Sequence, residues 1–316
     1  MEKGGHYFSL YQIAFEYTPT QESLKLTSSL RDSIPPRKGA GLYINIYRNL
    51  VSSYDVKPQR IISLSPSVTE SLYFLNQLDK VIAVTRYCEY PPEAVEKPKV
   101  GGIYDVNYEA VAALKPDLVI LSDMQAEAQE RFRNIGINTL LLRQADFESM
   151  LDSLRLLGNI LGAEQEAAEL IKEIKHSVNG IVSKISSHES KRVLFMVSRE
   201  VDSRGVTRII AAGNDGYYSE ILKLLQAQNP FDKYVAYSNV SREGLYWIDP
   251  EVIIELLYNP AQMDYFYKDW RNMQRLTAVK SNQICPIANS YGYIPGPRFP
   301  LLLEATARCI YPEAFP

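Results

Sequence analysis

Apolar positions between residues 60 and 142 fall into short β-branched runs separated by segments of helical spacing. Arg60-Ile61-Ile62-Ser63-Leu64 predicts a buried strand. Ser65-Pro66-Ser67 then predicts the start of a helix, with Glu70 three residues after Ser67 in capping-box spacing. Val81–Val84 predicts the next strand. A helix is predicted over 107–114 leading into a strand over 117–121, and a helix over 126–134 leading into a strand over 139–142. Strands alternating with helices in this way imply βαβ units on a mostly parallel sheet.

Beyond Gly162 the pattern changes. Ala167, Leu170, Ile171, Ile174, Val178, Ile181, Val182 and Ile185 recur at steps of three and four. This predicts one amphipathic helix of about 24 residues, ~36 Å long at 1.5 Å per residue, which suits a rigid strut between two domains. Strand-helix alternation resumes at Arg192-Val193-Leu194-Phe195-Met196-Val197. The second half also echoes the first: the stretch from Asn107 through Pro116 to Ile120 aligns without a gap on Ser241 through Pro250 to Ile254, an offset of 241 − 107 = 134. The strand starts Arg60 and Arg192 lie at an offset of 192 − 60 = 132. The predicted fold is therefore α/β, with two Rossmann-like lobes of mostly parallel sheet joined by a single long helix. Residues 59–161 make the first lobe, 162–187 the strut and 188–316 the second lobe. Residues 1–58 stand apart: 7–17 and 42–47 read as strands around a Pro-Pro-Arg-Lys-Gly loop, a hairpin added to the first lobe.

Length agrees with two domains, since 316 residues exceed the ~150 typical of one. Lys plus Arg number 34 against 37 Asp plus Glu, a net charge of −3, so no basic surplus exists to neutralise a phosphate backbone and nucleic acid is not an expected partner. No apolar run approaches the ~20 residues of a membrane span. The N-terminal segment lacks an apolar core of signal-peptide type, being interrupted by Ser9, Gln12 and Glu16. Either the protein is cytoplasmic or a leader has been removed. Cys88, Cys285 and Cys309 are widely spaced, and His6, His176 and His188 form no HExxH. Phosphate-loop and GxSxG signatures are also missing, so neither a metal, nor a cofactor, nor enzymatic activity is expected. Tyrosine is the outlier, with 22 residues against 10 Phe and 2 Trp. Its flat apolar face and hydroxyl suit a cleft that grips a large ligand, and equally a half-buried strand.

Three ordered motifs, Arg60-Ile-Ile-Ser-Leu-Ser-Pro-Ser-Val-Thr-Glu70, Thr85-Arg-Tyr-Cys-Glu-Tyr-Pro-Pro-Glu93 and Leu114-Lys-Pro-Asp-Leu-Val-Ile120, resemble the substrate-binding proteins of ABC importers for cobalamin, haem and ferric siderophores. Trp270-Arg-Asn, Ala278-Val-Lys-Ser-Asn, Ile294-Pro-Gly-Pro-Arg298 and Ala307-Arg-Cys-Ile-Tyr-Pro-Glu313 are similar to the closing segment of the same family. The resemblance covers roughly residues 58–316. It implies a ligand in the cleft between the lobes, at the carboxyl ends of the strands, and lobes that open and close little about their helical strut. The Tyr-x-x-Tyr-Pro-Pro text is most similar to cobalamin-binding members; Ile103 and Ser122 depart from them, standing where tryptophans are found. The ligand implied is a cobalamin-like corrinoid or another metal chelate, with haem and ferric siderophores as alternatives. A cytoplasmic corrinoid binder without a transporter is a further one.

On this resemblance Tyr87 would line the first wall of the cleft and Tyr237, Tyr291 and Tyr293 the second, with Tyr104 also in the set. Ser65 and Ser67, in the strand-to-helix turn, would meet a ligand's polar rim or merely cap the helix. Arg86 and Arg199 would bind a propionate or carboxylate, or remain solvated. Arg298 is read as ordering its loop, and Cys88 as a small buried hydrophobe rather than a metal ligand. Glu109 and Glu243 occupy equivalent positions of the repeat. In the resembling importers one glutamate from each lobe docks on the permease in the membrane; the resemblance implies that this protein works outside the cytoplasmic membrane, either in the periplasm or from a membrane anchor, and as a monomer.

Overall fold

The computed structural model describes residues 57–316, except Asp232, Tyr234, residues 259–261 and the side chain of Asp264. The hairpin read over residues 1–58 lies outside the described residues apart from its last two. Lys57–Pro316 form one compact unit. Its strands are β1 (Ile61–Ser63), β2 (Val81–Val84), β3 (Leu118–Ser122), β4 (Thr139–Leu142), β5 (Val193–Asp202), β6 (Gly205–Ala212), β7 (Tyr237–Ser241), β8 (Val252–Leu256) and β9 (Ile284–Ile287). The helices are α1 (Pro66–Phe74), α2 (Pro92–Val95), α3 (Tyr108–Ala113), α4 (Ala126–Asn134), α5 (Phe147–Leu161), α6 (Glu164–Ile185), α7 (Tyr217–Leu224), α8 (Arg242–Ile248), α9 (Met263–Arg271), α10 (Thr277–Lys280) and α11 (Phe299–Ile310).

The first lobe holds a four-stranded sheet in the order β2-β1-β3-β4, parallel throughout. All five residues of β3 are buried, as continuous apolar runs covered on both faces should be. Ile62, Leu64, Ala83, Val119, Leu121 and Phe132 belong to its core. The second lobe has a separate core around Leu194, Met196, Ile253, Phe266 and Trp270. Its sheet runs β7-β6-β5-β8-β9, parallel from β5 through β8 to β9 but antiparallel where β6 meets β5 and β7. This sheet is thus more mixed than the apolar pattern predicts. The strand predicted to end near Val197 continues to Asp202 and turns back at Ser203-Arg204. Asp202 accepts the Arg204 backbone N–H at 2.7 Å, and Gly205 takes φ +103°, where a Cβ would stand 2.8 Å from the Asp269 carbonyl oxygen.

Helix α6 runs for 22 residues, ~33 Å, and buries Ala167, Leu170, Ile171, Ile174, Val178, Ile181 and Ile185, the stripe read from the sequence except for Val182, which is half-buried. It follows α5 directly across Gly162, which ends α5 in the left-handed conformation at φ +70°. Helix α11, at the end of the second lobe, packs along it.

The repeat is realised in bonding as well as in text. Asn107 and Ser241 each cap a helix by accepting the N–H three residues on, from Ala110 at 2.9 Å and from Gly244 at 3.2 Å. Arg60 donates to the Leu114 and Lys115 carbonyls, and Arg192 to those of Ile248 and Asp249, so each strand-foot arginine closes off the C-terminus of the neighbouring helix. Lys115 and Asp249, again 134 apart, both take positive φ, at 47° and 39°.

Candidate functional site

Because β1 through β4 are parallel, the segments that leave β1 and β2 emerge at one edge of the first sheet. Ser65 and Ser67 follow β1, and Arg86 through Tyr90 follow β2. In the second lobe, β8 and β9 run parallel to β5 and deliver Leu257-Tyr258 and residues 288–298 to one edge. The two edges meet where Glu70 of α1 reaches Arg298, the residue preceding α11.

That meeting is a buried ion pair. The Arg298 Nε–H donates to Glu70 Oε2 at 2.9 Å, Nη2 donates to Oε1, and Nη2 also donates to Ser290 Oγ at 3.1 Å. The Glu70 side chain is 1% exposed and that of Arg298 10%. Burial pushes the Glu70 carboxyl above its ordinary range, and the Arg298 hydrogen bond and charge oppose that shift. The guanidinium lies 4.2 Å from the centre of the Tyr90 ring, from the first lobe, and 6.0 Å from that of Tyr291, from the second. This overturns the capping-box reading: α1 begins at Pro66 after Ser65, with no side-chain cap, and Glu70 turns to Arg298 instead. Arg298 does more than order its loop, since it ties one lobe to the other. Glu70 and Tyr90 are functional candidates that sequence reasoning missed. The quoted motif contains Tyr90, but of its two tyrosines only Tyr87 is assigned to the cleft.

The remaining predicted residues divide into three groups. On the first lobe, Ser65 and Ser67 are buried, and their hydroxyls bond each other at 2.9 Å. Arg86 lies over the Tyr87 ring at 5.5 Å and forms an exposed pair with Asp105, the side chains being 45% and 65% exposed. Tyr104 lies in the adjoining loop and is exposed. On the second lobe, Tyr293 stacks on Tyr258 with ring centres 4.1 Å apart and donates its hydroxyl to the Leu257 carbonyl at 3.3 Å. Tyr237 packs edge-on to Tyr218 at 6.2 Å, and the Tyr218 hydroxyl donates to the carbonyl of Gly292, between Tyr291 and Tyr293. Tyr218 thus ties Tyr237 to the segment that carries Tyr291 and Tyr293.

Arg199 forms the third group and is a correction. It pairs with Glu255 and with Asp269, the latter at 2.9 Å, and lies 5.2 Å from the centre of the Phe266 ring. Its side chain is 10% exposed. Two carboxylates already satisfy the guanidinium inside the lobe, so it has no charge to offer a ligand. Glu255 also accepts the Trp270 indole N–H at 3.0 Å, and burial pushes its carboxyl up to about 7 against the pull of Arg199.

Cys88 is buried, with Thr69 and Thr85 hydroxyls 3.1 and 3.2 Å from its sulfur, and burial raises its thiol. Ser122 bonds Gln125, which in turn donates to the Leu64 and Ile103 carbonyls, so these residues build the loop. Among the described residues no group of three or more His, Cys, Asp or Glu side chains could hold a metal, and no helix is long and apolar enough to cross a membrane. Glu109 and Glu243 are each the second residue of their helix, α3 and α8, and both are exposed. Hydrogen bonds from its own backbone N–H and from Ser241 hold the Glu243 carboxyl below the usual range.

Residues 61–291 match the periplasmic binding protein family. The chain belongs to that family. Its members are substrate-binding, non-catalytic proteins. An uncharacterised ABC transporter substrate-binding lipoprotein of Bacillus subtilis, YvrC, is 30% identical over 267 residues, covering 82% of each chain. The vitamin B12-binding protein of Vibrio parahaemolyticus is 24% identical, over 81% of this chain and 91% of its own. Among solved structures, the periplasmic vitamin B12-binding protein BtuF of Vibrio cholerae superposes with a TM-score of 0.70 at 22% identity, over 82% of this chain and 99% of that one. A periplasmic heme-binding protein from Pseudomonas aeruginosa gives 0.70, also at 22% identity, over 82% of this chain and 95% of its own. These likenesses show the two-lobed fold.

Proposed function

We propose that this family member works outside the cytoplasmic membrane, capturing a flat metal chelate, a cobalamin-like corrinoid foremost, in the groove between its lobes and delivering it to an ABC permease. The observation that carries the reading is the 30% identical transporter lipoprotein, which aligns over 82% of this chain. The groove's chemistry supports it. Tyr87, Tyr90 and Tyr104 come from one lobe and Tyr237, Tyr291 and Tyr293 from the other, and a broad planar ring is held best by aromatic faces on two sides.

The two arginines considered for ligand binding, and Arg298 with them, have different roles. Arg199 is spent on Glu255 and Asp269, and Arg298 on Glu70. Arg86 alone of the three is in an exposed pair, and exposed pairs contribute only ~0–1 kcal/mol, so a carboxylate or amide on the rim of the ring can displace Asp105. Ser65 and Ser67 stand in the turn after β1 with their hydroxyls bonded to each other, and can turn to a ligand's edge.

The permease would be met through Glu109 and Glu243, which the repeat places at matching helix starts. Two fixed carboxylates on separate lobes orient the complex and steer its association. Trp247, one turn after Glu243, is 87% exposed, whereas the repeat places Ala113 at the equivalent position of the first lobe (247 − 134). The second-lobe contact thus carries an apolar anchor that the first lacks.

The test uses colour. The full chain is mixed separately with cyanocobalamin and with haemin, desalted, and its visible spectrum recorded. A corrin band retained at about one equivalent supports the corrinoid reading, and a Soret band in its place moves the ligand to haem. A colourless protein in both mixtures withdraws planar macrocycles.

A further inference from the structure

Where the lobes meet, each contributes a buried polar group that the Glu70–Arg298 pair does not use. Tyr217, the first residue of α7, belongs to the second lobe and is 6% exposed. Gln144, two residues beyond β4, belongs to the first lobe and is 4% exposed. Neither the Tyr217 hydroxyl nor Gln144 Oε1 has a hydrogen-bond partner among the described residues. Buried groups left in this condition are rare, because each has given up its bonds to water. The orientation of the Gln144 amide follows from its neighbour. The Ser71 hydroxyl donates to the Ser67 carbonyl at 2.8 Å, so towards Gln144 it can only accept, and Nε2 faces it at 3.5 Å. Oε1 is therefore the atom left over.

Both residues converge on the ion pair. The Tyr217 ring meets the Phe299 ring edge-on with centres 5.5 Å apart, and Phe147, three residues after Gln144, meets the same ring at 4.7 Å. Phe299 directly follows Arg298, and Ser71, which holds the amide, directly follows Glu70. The Tyr217 hydroxyl feels both charges: burial raises it above the ordinary phenol range, Glu70 raises it further, and Arg298 opposes the rise. Glu70 can accept more than it does. Arg298 is the only donor to its two oxygens among the described residues, supplying two bonds, whereas a carboxylate offers about four lone-pair sites. There is also room beside it. Gly296 is buried, and a Cβ built on it would meet Glu70 Oε2 at 3.7 Å and the Ser67 carbonyl oxygen at 3.8 Å, both ordinary contact distances. A polar-walled space that admits a methyl group also admits a water.

We propose that one buried water occupies the junction beside Glu70, accepting from the Tyr217 hydroxyl and donating to the Glu70 carboxylate and to Gln144 Oε1. Three bonds are the usual complement of a buried water, and here they satisfy both orphaned groups at once. The bridge ties the second lobe to the first again, through solvent instead of a direct contact. It adds a hydrogen bond at Glu70 but no counter-charge, so the pairing with Arg298 keeps its weight. A water can re-aim its bonds when the lobes shift slightly, whereas the two-pronged pair holds a single geometry. The site does not depend on what the groove binds.

A crystal structure of the full chain tests the site directly. The expected result is one ordered water within ~3.2 Å of Tyr217 Oη and of a Glu70 carboxylate oxygen, with Gln144 Oε1 as its third partner. A dry junction, or a direct bond from Tyr217 Oη to a protein atom, would overturn the proposal. Urea unfolding gives a second measurement that needs no crystal. If the hydroxyl is bonded to water, Tyr217→Phe should lower the folding equilibrium constant by about 2- to 10-fold; loss of an orphaned hydroxyl would leave it unchanged or raise it. Gln144→Met removes the third partner, so Tyr217→Phe should cost less in that background than alone. A Tyr217→Phe protein at least as stable as the starting one, or two effects that simply add, would count equally against the bridge.

Discussion

The Glu70–Arg298 pair makes a quantitative demand on the molecule. Arg298→Met leaves a carboxylate that is 1% exposed without its cation, and unpairing a buried charge in this way costs about 3–5 kcal/mol. Loss of the guanidinium 4.2 Å from the centre of the Tyr90 ring adds up to ~1 kcal/mol. Whole-domain stabilities run to only ~5–15 kcal/mol, so the single substitution should remove a large fraction of the total. At ~2–4 °C per kcal/mol for a unit of this size, the melting temperature should fall by roughly 10 °C. Glu70→Met strands an arginine that is 10% exposed but still has Ser290 Oγ at 3.1 Å, so its cost should be smaller, about 2–3 kcal/mol. Together, Glu70→Met and Arg298→Met remove both charges and fill the space with apolar atoms, which is close to neutral for buried pairs and should return stability to within ~1 kcal/mol of the starting protein.

The assay is urea unfolding of the four proteins of this cycle, followed by both fluorescence and circular dichroism. Small-angle scattering on each folded protein adds a geometric reading, because this pair joins the lobes directly. The expected signature is a coupling energy of several kcal/mol, with the double variant more stable than Arg298→Met. Coupling below ~1 kcal/mol would refute the reasoning, because it would mean that the carboxylate is solvated or neutral without its partner.

Three further predictions test the groove, the docking residues and the second-lobe network. Replacing Tyr87 and Tyr237 together by Ala should weaken ligand binding about tenfold or more, since each loses a ring contact of ~0.5–1.5 kcal/mol as well as buried area; titration calorimetry showing unchanged affinity removes both from the site. Glu109→Arg with Glu243→Arg should abolish uptake in cells while the purified protein keeps its ligand affinity, and a fall in that affinity would contradict a docking role. Glu255, at about 7 when folded against 4.5 unfolded, retains its proton longer in the native state. Its contribution is therefore fully present below pH 4.5 and is lost as pH rises through 7, on the order of 3 kcal/mol in all. Glu255→Gln should flatten that slope in melting experiments between pH 5 and 8, and an unchanged slope would assign it to another group.

Much of the architecture was legible because its signals are local. Parallel strands covered on both faces are unbroken apolar runs, so β1 to β4 were readable within a residue or two. The repeat was readable because each lobe uses the same strand-foot arginine, helix cap and positive-φ turn. Of the elements that were not legible in this way, helix α5 and the far half of β5 show two different reasons. Helix α5 carries ordinary signals, with Asp146 accepting the Ser149 N–H at 2.8 Å and apolar residues at helical steps from Met150 to Leu161. The extension of β5 through Ser198-Arg199-Glu200-Val201-Asp202 could not be read from hydropathy, because that half of the strand is largely exposed and polar.

The charged residues show why a site is harder to read than a fold. Arg86, Arg199 and Arg298 are equivalent in the sequence, each a cation just beyond a strand or at a helix start. What separates them is the distance along the chain to their partners and the solvent around the pair. Arg86 meets Asp105 19 residues away at the surface, and that bond can be exchanged. Arg199 meets Glu255 and Asp269, 56 and 70 residues on, inside one lobe. Arg298 meets Glu70 across 228 residues, from one lobe to the other. No periodicity encodes a contact between the start of one lobe and the end of the other, so the tie between the lobes becomes visible only once both are folded. It acts alongside other contacts between the same parts, such as Phe147 against Phe299 at 4.7 Å, in setting how the lobes face each other, which makes Glu70 a positioning residue for the proposed ligand site.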